Sequence, residues 1–139
     1  MAYTILYPDA KHKELDIEAR AVGPEVTLIH SRQNQFEAID RAHWESCDAI
    51  VVSRMPMDRG VIPHLKRCRI IVRNGVGFDV LDLEACAEAG IATCNVPDYG
   101  TTEVADSAIA MMLCFARGTA PMDAALRADL AGNWTHERN

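Results

Sequence analysis

The chain has 139 residues, of which 49% are hydrophobic and 24% are charged, the usual balance of a soluble globular protein. This length allows one domain, or one domain with an appendage, and a core that needs no metal ion or disulfide. The formal net charge of −6 argues against a general nucleic-acid binder, which carries a basic surface. The longest apolar run, residues 108–116, is far shorter than the roughly 18 residues of a membrane-spanning helix, and no signal peptide is visible.

The cysteines indicate a reducing compartment. They are five in number, irregularly spaced and never arranged as C-x-x-C: Cys47, Cys68, Cys86, Cys94 and Cys114. This pattern favours buried free thiols in the cytoplasm over a zinc site or a disulfide framework. We therefore expect a cytoplasmic protein without a metal ion.

Strand-like and helix-like segments alternate along the first hundred residues. Strands are predicted at 3–7, 26–29, 48–52, 69–72 and 91–94, and helical segments at 11–21, 34–43, 58–65 and 82–89. Short strands separated by helices indicate parallel pairing with right-handed crossovers. The sequence therefore predicts an α/β, flavodoxin-like sheet of five parallel strands in the order 2-1-3-4-5, with flanking helices. The first and third strands should be adjacent at its centre, with Ile50 and Val52 buried.

A long helix is predicted over residues 102–117, with a threonine N-cap, and a second helix from Pro121 to Leu130. The middle of the long helix is apolar on all sides, and such a helix is normally buried on all sides. A single five-stranded domain can cover only one face of it. We therefore expect this helix to contact a second copy of the chain or a second domain.

The most conspicuous candidate site is the turn after the fourth strand. Ligands of parallel sheets bind beyond the carboxyl ends of the strands. In this turn Gly75 and Gly77 allow the backbone to expose N–H groups, which can bind a carboxylate or a phosphate; a plain tight turn is the alternative. The turn is not a dinucleotide fingerprint, because residue 80 is Val80 rather than glycine.

Two other loops end at the same edge of the predicted sheet. Arg54 follows the third strand and is a candidate for binding an anionic substrate through a charge-assisted hydrogen bond; a surface arginine is the alternative. The segment Tyr7–Asp9 follows the first strand and is interpreted as a substrate contact or, more simply, as a turn.

A longer pattern extends beyond these loops. Its segments are Arg73–Asp79, Leu81–Leu83, Gly90–Pro97 and Val104–Asp106. In combination they resemble the D-isomer-specific 2-hydroxyacid dehydrogenases, closest to the branch that holds the C-terminal-binding-protein corepressors and the phosphoglycerate dehydrogenases. The resemblance covers the whole chain and includes Gly132–Trp134, which is similar to the G-x-W before that family's nucleotide-binding fingerprint.

The resemblance implies roles for individual residues. The backbone amides of Val76 and Gly77 would bind the substrate carboxylate. Val76 would also lie near the nicotinamide, and Val104 would line the cofactor cleft. Asp79 would brace the turn, and Gly75 would have a structural role.

The resemblance also implies a domain organisation. Residues 1–100 would form the substrate-binding domain, and residues 101–139 the interdomain helix and the start of a nucleotide-binding domain that is otherwise absent. The helix 102–117 would then pack against that domain and form a homodimer.

The implied activity is hydride transfer between NAD or NADP and a D-2-hydroxy or 2-keto acid, with neither nucleic acid nor membrane as a partner. The family's catalytic arginine, glutamate and histidine follow a G-x-G-x-x-G that these 139 residues do not contain, so no catalytic residue is assigned and the chain alone is expected to be inactive. A corepressor-like binding module on the same scaffold stays open as an alternative. A signalling receiver or a flavodoxin is disfavoured, because the loop after the first strand has neither an acidic cluster nor a Ser/Thr-rich phosphate loop.

Overall fold

A computed structural model describes residues 3–128. The chain divides into two compact units, one ending at Tyr99 and the other beginning at Gly100. The first unit contains a β-sheet with short helices, and the second contains two helices in its described part.

The sheet of the first unit has five strands: β1 (Tyr3–Tyr7), β2 (Val26–His30), β3 (Ala49–Val52), β4 (Ile70–Arg73) and β5 (Ala92–Cys94). All neighbouring strands are parallel, in the order β2-β1-β3-β4-β5. β1 and β3 pair at the centre, with Leu6 opposite Ile50. Because Ile50 and Val52 are fully buried, the predicted flavodoxin-like sheet is confirmed.

Three α-helices accompany the sheet: α1 (Asp16–Val22), α2 (Arg41–Ser46) and α3 (Leu83–Glu88). The predicted helix at 34–43 is wrong. A single 3₁₀ turn at Phe36–Ala38 ends at Ile39, whose backbone is extended, and α2 then begins. Asp40 starts α2 by accepting a hydrogen bond from the Ala42 amide at 2.9 Å, the usual action of an N-cap.

The other helix boundaries differ less. α1 begins five residues later than predicted, and the segment 58–65 contains only a 3₁₀ turn at Ile62–His64. α3 agrees with expectation, since the Asp82 carboxylate caps it by accepting from the Ala85 amide at 2.9 Å.

The two faces of the sheet carry two separate apolar clusters, because successive side chains of a strand point to opposite sides. The larger cluster contains Trp44, which is fully buried, together with Ile50, Met57 and Ile71. The smaller cluster is formed by Tyr7, Ala10 and Leu15 with partly buried Ile5, Leu28 and Val51. The central strands have apolar residues on both faces because each face packs against one of these clusters.

The second unit begins with α4 (Thr101–Arg117), followed by α5 (Thr119–Ala128). The long helix is present as predicted, but Gly100 rather than a threonine occupies its N-cap position. None of its residues is buried, and Phe115 is 93% exposed. The burial expected for this helix is therefore not provided by residues 3–128. The predicted end of the second helix at Leu130, and the segment Gly132–Trp134, lie outside the described residues.

All five cysteines are free. Cys47, Cys68 and Cys86 are buried as predicted, but Cys94 and Cys114 are exposed, because β5 is an edge strand and α4 is uncovered. No helix within residues 3–128 is long and apolar enough to cross a membrane.

Candidate functional site

The turn after β4 has a backbone that only glycine adopts easily. Gly75 has a φ of +154°, and a Cβ added there would lie 1.5 Å from the Arg73 Nη1 atom. The Arg73 guanidinium therefore packs directly across Gly75. At Gly77 an added Cβ would lie 3.0 Å from the Asp79 Oδ1 atom, a tight contact with a side chain that can move.

Two consecutive backbone amides of this turn have no acceptor in the described part of the chain. The Asn74 amide donates to the Val52 carbonyl at 2.7 Å, and the Gly75 amide donates to the Arg73 carbonyl at 2.9 Å. The next two N–H groups, those of Val76 and Gly77, donate no hydrogen bond to any residue in the range 3–128. Both residues are exposed, so an anionic ligand can approach this part of the turn.

The turn is held in place by the end of β5. The Asn95 side chain donates to the Val76 carbonyl at 2.7 Å, and the Val96 amide donates to the Gly75 carbonyl at 3.0 Å. Asp79, for which the resemblance implied a bracing role, lies beside Gly77, and no hydrogen bond to its carboxylate occurs within the described part of the chain. Asn95 is thus a site residue that sequence reasoning missed.

Arg73 is a second candidate for anion binding, although the sequence identifies it only as the first residue of the turn motif. Its Nε atom is shielded from solvent and has no hydrogen-bond partner among residues 3–128. A shielded N–H group without an acceptor is costly. A carboxylate is the acceptor that best fits a guanidinium, because the hydrogen bond is charge-assisted.

The loop after β3 also has consecutive backbone amides that point to one place, but a side chain of the protein itself accepts their hydrogen bonds. Asp9 is only 4% exposed. Its Oδ1 atom accepts from the Ser53 amide at 2.8 Å, and its Oδ2 atom accepts from the amides of Arg54 and Met55, the latter at 2.8 Å. Through Asp9, the segment Tyr7–Asp9 therefore anchors the loop after β3. The sequence had suggested a substrate contact or a plain turn, and neither of these interpretations includes this structural role.

Arg54 lies on this anchored loop with an exposed side chain that makes no ion pair or hydrogen bond inside the described range. Two hydrogen bonds join the loop to the segment after the turn. The Met57 amide donates to the Val80 carbonyl at 2.8 Å, and the Asp82 amide donates to the Met57 carbonyl at 3.0 Å. The loops that carry Arg54 and Val76 therefore leave the same edge of the sheet side by side.

An apolar hollow of about 180 Å³ adjoins the turn. It is lined by Phe78, Leu81, Leu83, Thr93, Cys94 and Asn95. Asn95 therefore takes part in both features, since it braces the turn and lines the hollow. Val104, the other residue implied to contact a cofactor, lies on α4 in the second unit and is 70% exposed.

A parallel sheet with open amides and an arginine at its carboxyl edge is typical of ligand-binding α/β domains. The family model described as "D-isomer specific 2-hydroxyacid dehydrogenase, catalytic domain" matches residues 5–137. This chain belongs to the D-isomer-specific 2-hydroxyacid dehydrogenase family.

Relatives with known names agree with this membership. The chain is 32% identical, over 96% of its length, to the D-3-phosphoglycerate dehydrogenase of Methanocaldococcus jannaschii. It superposes on the 2-hydroxyacid dehydrogenase of Ketogulonicigenium vulgare with a TM-score of 0.76 and 27% identity over 100% of the chain. On the NAD⁺-bound 3-phosphoglycerate dehydrogenase of Entamoeba histolytica the TM-score is 0.65, with 25% identity over 82% of the chain.

The chain spans only part of these relatives. It covers 24% of the Methanocaldococcus protein. Among the two solved structures it covers 45% of the Ketogulonicigenium chain and 39% of the Entamoeba chain.

Proposed function

We propose that this chain is the substrate-binding part of a nicotinamide-dependent D-2-hydroxyacid dehydrogenase. The observation that carries the proposal is the pair of open amides at Val76 and Gly77, on the turn across which the Arg73 guanidinium packs. Both features suit a small carboxylate, the group that every 2-hydroxy and 2-keto acid carries. The substrate class is therefore a small 2-hydroxy or 2-keto acid.

In this proposal the chain orients the substrate. The two amides and the Arg73 guanidinium hold the carboxylate, which places the neighbouring C2 atom at the edge of the turn. The Val76 side chain, 47% exposed on the same turn, offers an apolar surface to the flat face of a nicotinamide. When bound, NAD or NADP supplies or accepts the hydride at C2.

The relatives support the enzymatic function over a corepressor-like module. Those compared above carry dehydrogenase names, and the Entamoeba structure contains NAD⁺. A cytoplasmic location fits the five free cysteines. A homodimer through α4 fits that helix's exposed apolar residues, among them Met111 and Phe115.

The proposal is tested by following NADH and NADPH oxidation with a panel of 2-keto acids, using the protein as its gene encodes it. Gly77→Pro removes one of the two N–H donors. We expect kcat/KM to fall by roughly tenfold to a hundredfold, mainly through KM, since a hydrogen bond to a charged group contributes about 1.5–3 kcal/mol.

Gly77→Ala is the matched control, because it keeps the N–H donor and contacts only the movable Asp79 side chain. Its KM should stay near that of the wild type. Equal KM values for the proline and alanine variants, both folded by circular dichroism, would remove the turn from the substrate site. No turnover with any 2-keto acid would instead favour the binding module.

A further inference from the structure

Two buried cysteines that the proposed function does not use lie opposite each other in the sheet. Cys47 precedes β3 by two residues, and Cys68 precedes β4 by two residues. The strand register pairs Ala49 with Ile70. The Arg69 amide extends this ladder by donating to the Asp48 carbonyl at 2.9 Å. Cys47 and Cys68 are therefore partners in the continued register.

This placement suits a covalent bond between the two sulfur atoms. Neighbouring strands are about 4.8 Å apart, and disulfides form between residues whose Cα atoms are about 4.4–6.8 Å apart. Both side chains belong to the larger apolar cluster, so they lie on the same face of the sheet. In the reduced protein the Cys47 thiol donates to the Trp44 carbonyl at 3.4 Å, and the Cys68 thiol donates to the Ile70 carbonyl at 3.3 Å.

The two thiols differ in reactivity. A hydrogen bond from the Cys47 thiol to the Cys68 thiolate lowers the pKa of Cys68 and raises the pKa of Cys47, so Cys68 is the thiolate when one of the two ionises. Cys68 is also the more accessible of the two, with 7% of its surface exposed against none for Cys47. The thiolate is the nucleophilic form of cysteine.

We propose that Cys47 and Cys68 are a redox modification site that closes to a reversible disulfide when the protein meets a peroxide. The Cys68 thiolate attacks one oxygen of hydrogen peroxide, the O–O bond breaks, and a sulfenic acid and hydroxide form. Cys47 then loses its proton and attacks the Cys68 sulfur, which expels the hydroxyl group as water. In sum, two thiols and one peroxide give one disulfide and two waters, and a dithiol reductant reverses the change.

The bond would join the starts of β3 and β4. The loop with Arg54 and the turn with Val76 leave the opposite ends of these same two strands. The modification site is therefore separate from the proposed substrate site, and its test does not depend on catalytic activity.

Tryptic peptide mapping tests the proposal directly. Trypsin places Cys47 in the peptide 42–54, Cys68 in the dipeptide 68–69, and the other three cysteines in the peptide 74–117. The intact protein is treated with hydrogen peroxide, its remaining thiols are alkylated in denaturant, and it is digested without reductant. We expect peptides 42–54 and 68–69 to be linked, with the loss of two hydrogens, and dithiothreitol to separate them.

Two variants sharpen the test. Cys47→Ala should abolish the link and leave a sulfenic acid on Cys68 that a dimedone probe captures. Cys86→Ala, which removes the third buried thiol, should leave the link intact. Alkylation of both Cys47 and Cys68 after peroxide treatment of the wild type, or a link from Cys68 into the peptide 74–117, would overturn the proposal.

Discussion

Two groups of consecutive backbone amides lie at the carboxyl edge of the sheet. Whether each group can bind an external anion depends on whether a side chain of the protein already accepts its hydrogen bonds. Asp9 fills the set after β3 with its own carboxylate, and a buried carboxylate requires such partners. No side chain within residues 3–128 fills the set at Val76 and Gly77. In the proposed function, an external carboxylate therefore binds at the turn after β4.

At Gly75 we predict that substitution disturbs binding through Arg73. Gly75→Ala forces an alanine into a glycine-only conformation, at a cost of about 1–3 kcal/mol, and displaces the guanidinium that lies 1.5 Å from the new Cβ. KM for the keto acid should rise about tenfold or more, because a charge-assisted hydrogen bond is lost. Steady-state kinetics and urea unfolding measure the two effects.

Gly23→Ala is the matched control. Gly23 also has a positive φ, of 83°, but nothing lies within 4 Å of an added Cβ. It should lose similar stability without a change in KM. A normal KM for Gly75→Ala would show that Arg73 does not contact the substrate.

At Asp9 we predict a large loss of stability on neutralisation. Asp9→Asn replaces one of two accepting oxygens by an NH₂ group, which faces an amide that it cannot satisfy. The free energy of unfolding should fall by about 1.5–3 kcal/mol, as measured by urea denaturation. KM should also rise, because the loop that carries Arg54 loses its anchor.

Asp58→Asn serves as the comparison. Asp58 accepts from the amides of Gly60 and Val61 through a single oxygen, Oδ1, which an asparagine retains. A change below about 0.5 kcal/mol is expected there. Equal effects of the two substitutions would contradict the role assigned to Asp9.

At the scale of elements, hydrogen bonds made by Asp48 join the starts of β1 and β3 and the segment before β4. Asp48 lies immediately before β3. Its backbone amide donates to the Thr4 carbonyl at 2.8 Å, and its carboxylate accepts from the Thr4 amide at 2.9 Å and from Arg67 Nη2 at 2.8 Å. One side chain thus holds β1 beside β3 and ties the segment before β4 to the same point.

These contacts make stability depend on pH. The Thr4 hydrogen bond and the Arg67 guanidinium hold the pKa of Asp48 below its ordinary value. In acid the unfolded chain therefore binds this proton before the folded chain does, so the stabilisation is present above the ordinary pKa and is lost as the pH falls through the native one.

The prediction is that Asp48→Asn destabilises the protein by about 1–3 kcal/mol at pH 7 and that the difference from wild type shrinks below about pH 4. Urea unfolding at several pH values measures it, with exposed Glu25→Gln as the control that shows no such convergence. A difference that is constant with pH would contradict the ionic origin of the contact.

The arrangement of helices was the least predictable feature of the elements. The segment 34–43 contains enough apolar residues for a helix, but it splits at Ile39, which is buried against the sheet in an extended conformation. Packing of Ile39 and Trp44 into the core overrides the local pattern. Strand positions were predicted well, because β3 and β4 are apolar on both faces and flanked by polar residues.

At the scale of the whole molecule, α4 is the helix that residues 3–128 leave exposed. Its large apolar residues are exposed: Val104, Ile109, Met111, Met112, Leu113 and Phe115. Exposed apolar patches of this kind mark an interaction surface. The proposed homodimer through this helix would bury them.

We predict that Met111→Glu with Phe115→Glu, one helical turn apart, weakens self-association by about a hundredfold or more, since each buried side chain contributes roughly 1.5–3 kcal/mol. Light scattering over a micromolar concentration series measures the change. Ile17→Glu on α1, at a residue that is 72% exposed, introduces the same charge at an exposed apolar site and should have no effect. A wild-type monomer at these concentrations would contradict the interface.

The sequence by itself determined the architecture and the family. Alternating strand and helix patterns are local properties, and two-sided apolar strands can only belong to the inside of a parallel sheet. The Gly75–Gly77 turn was visible for the same reason, because a glycine-rich turn after a strand is a local signal. The sequence could not show, however, that the Val76 and Gly77 amides have no acceptor within residues 3–128, because this depends on which residues the fold places around the turn.

The tertiary structure alone decided which polar groups meet. Asp9 reaches amides 44 to 46 residues away, Asn95 reaches a carbonyl 19 residues away, and Cys47 meets Cys68 only through the register of β3 and β4. None of these pairs has a periodicity or a short spacing that a sequence pattern can reveal. Such hydrogen bonds form only after packing of the apolar faces has brought the strand ends together, so the partners of a polar residue follow from the fold rather than from its neighbours in the chain.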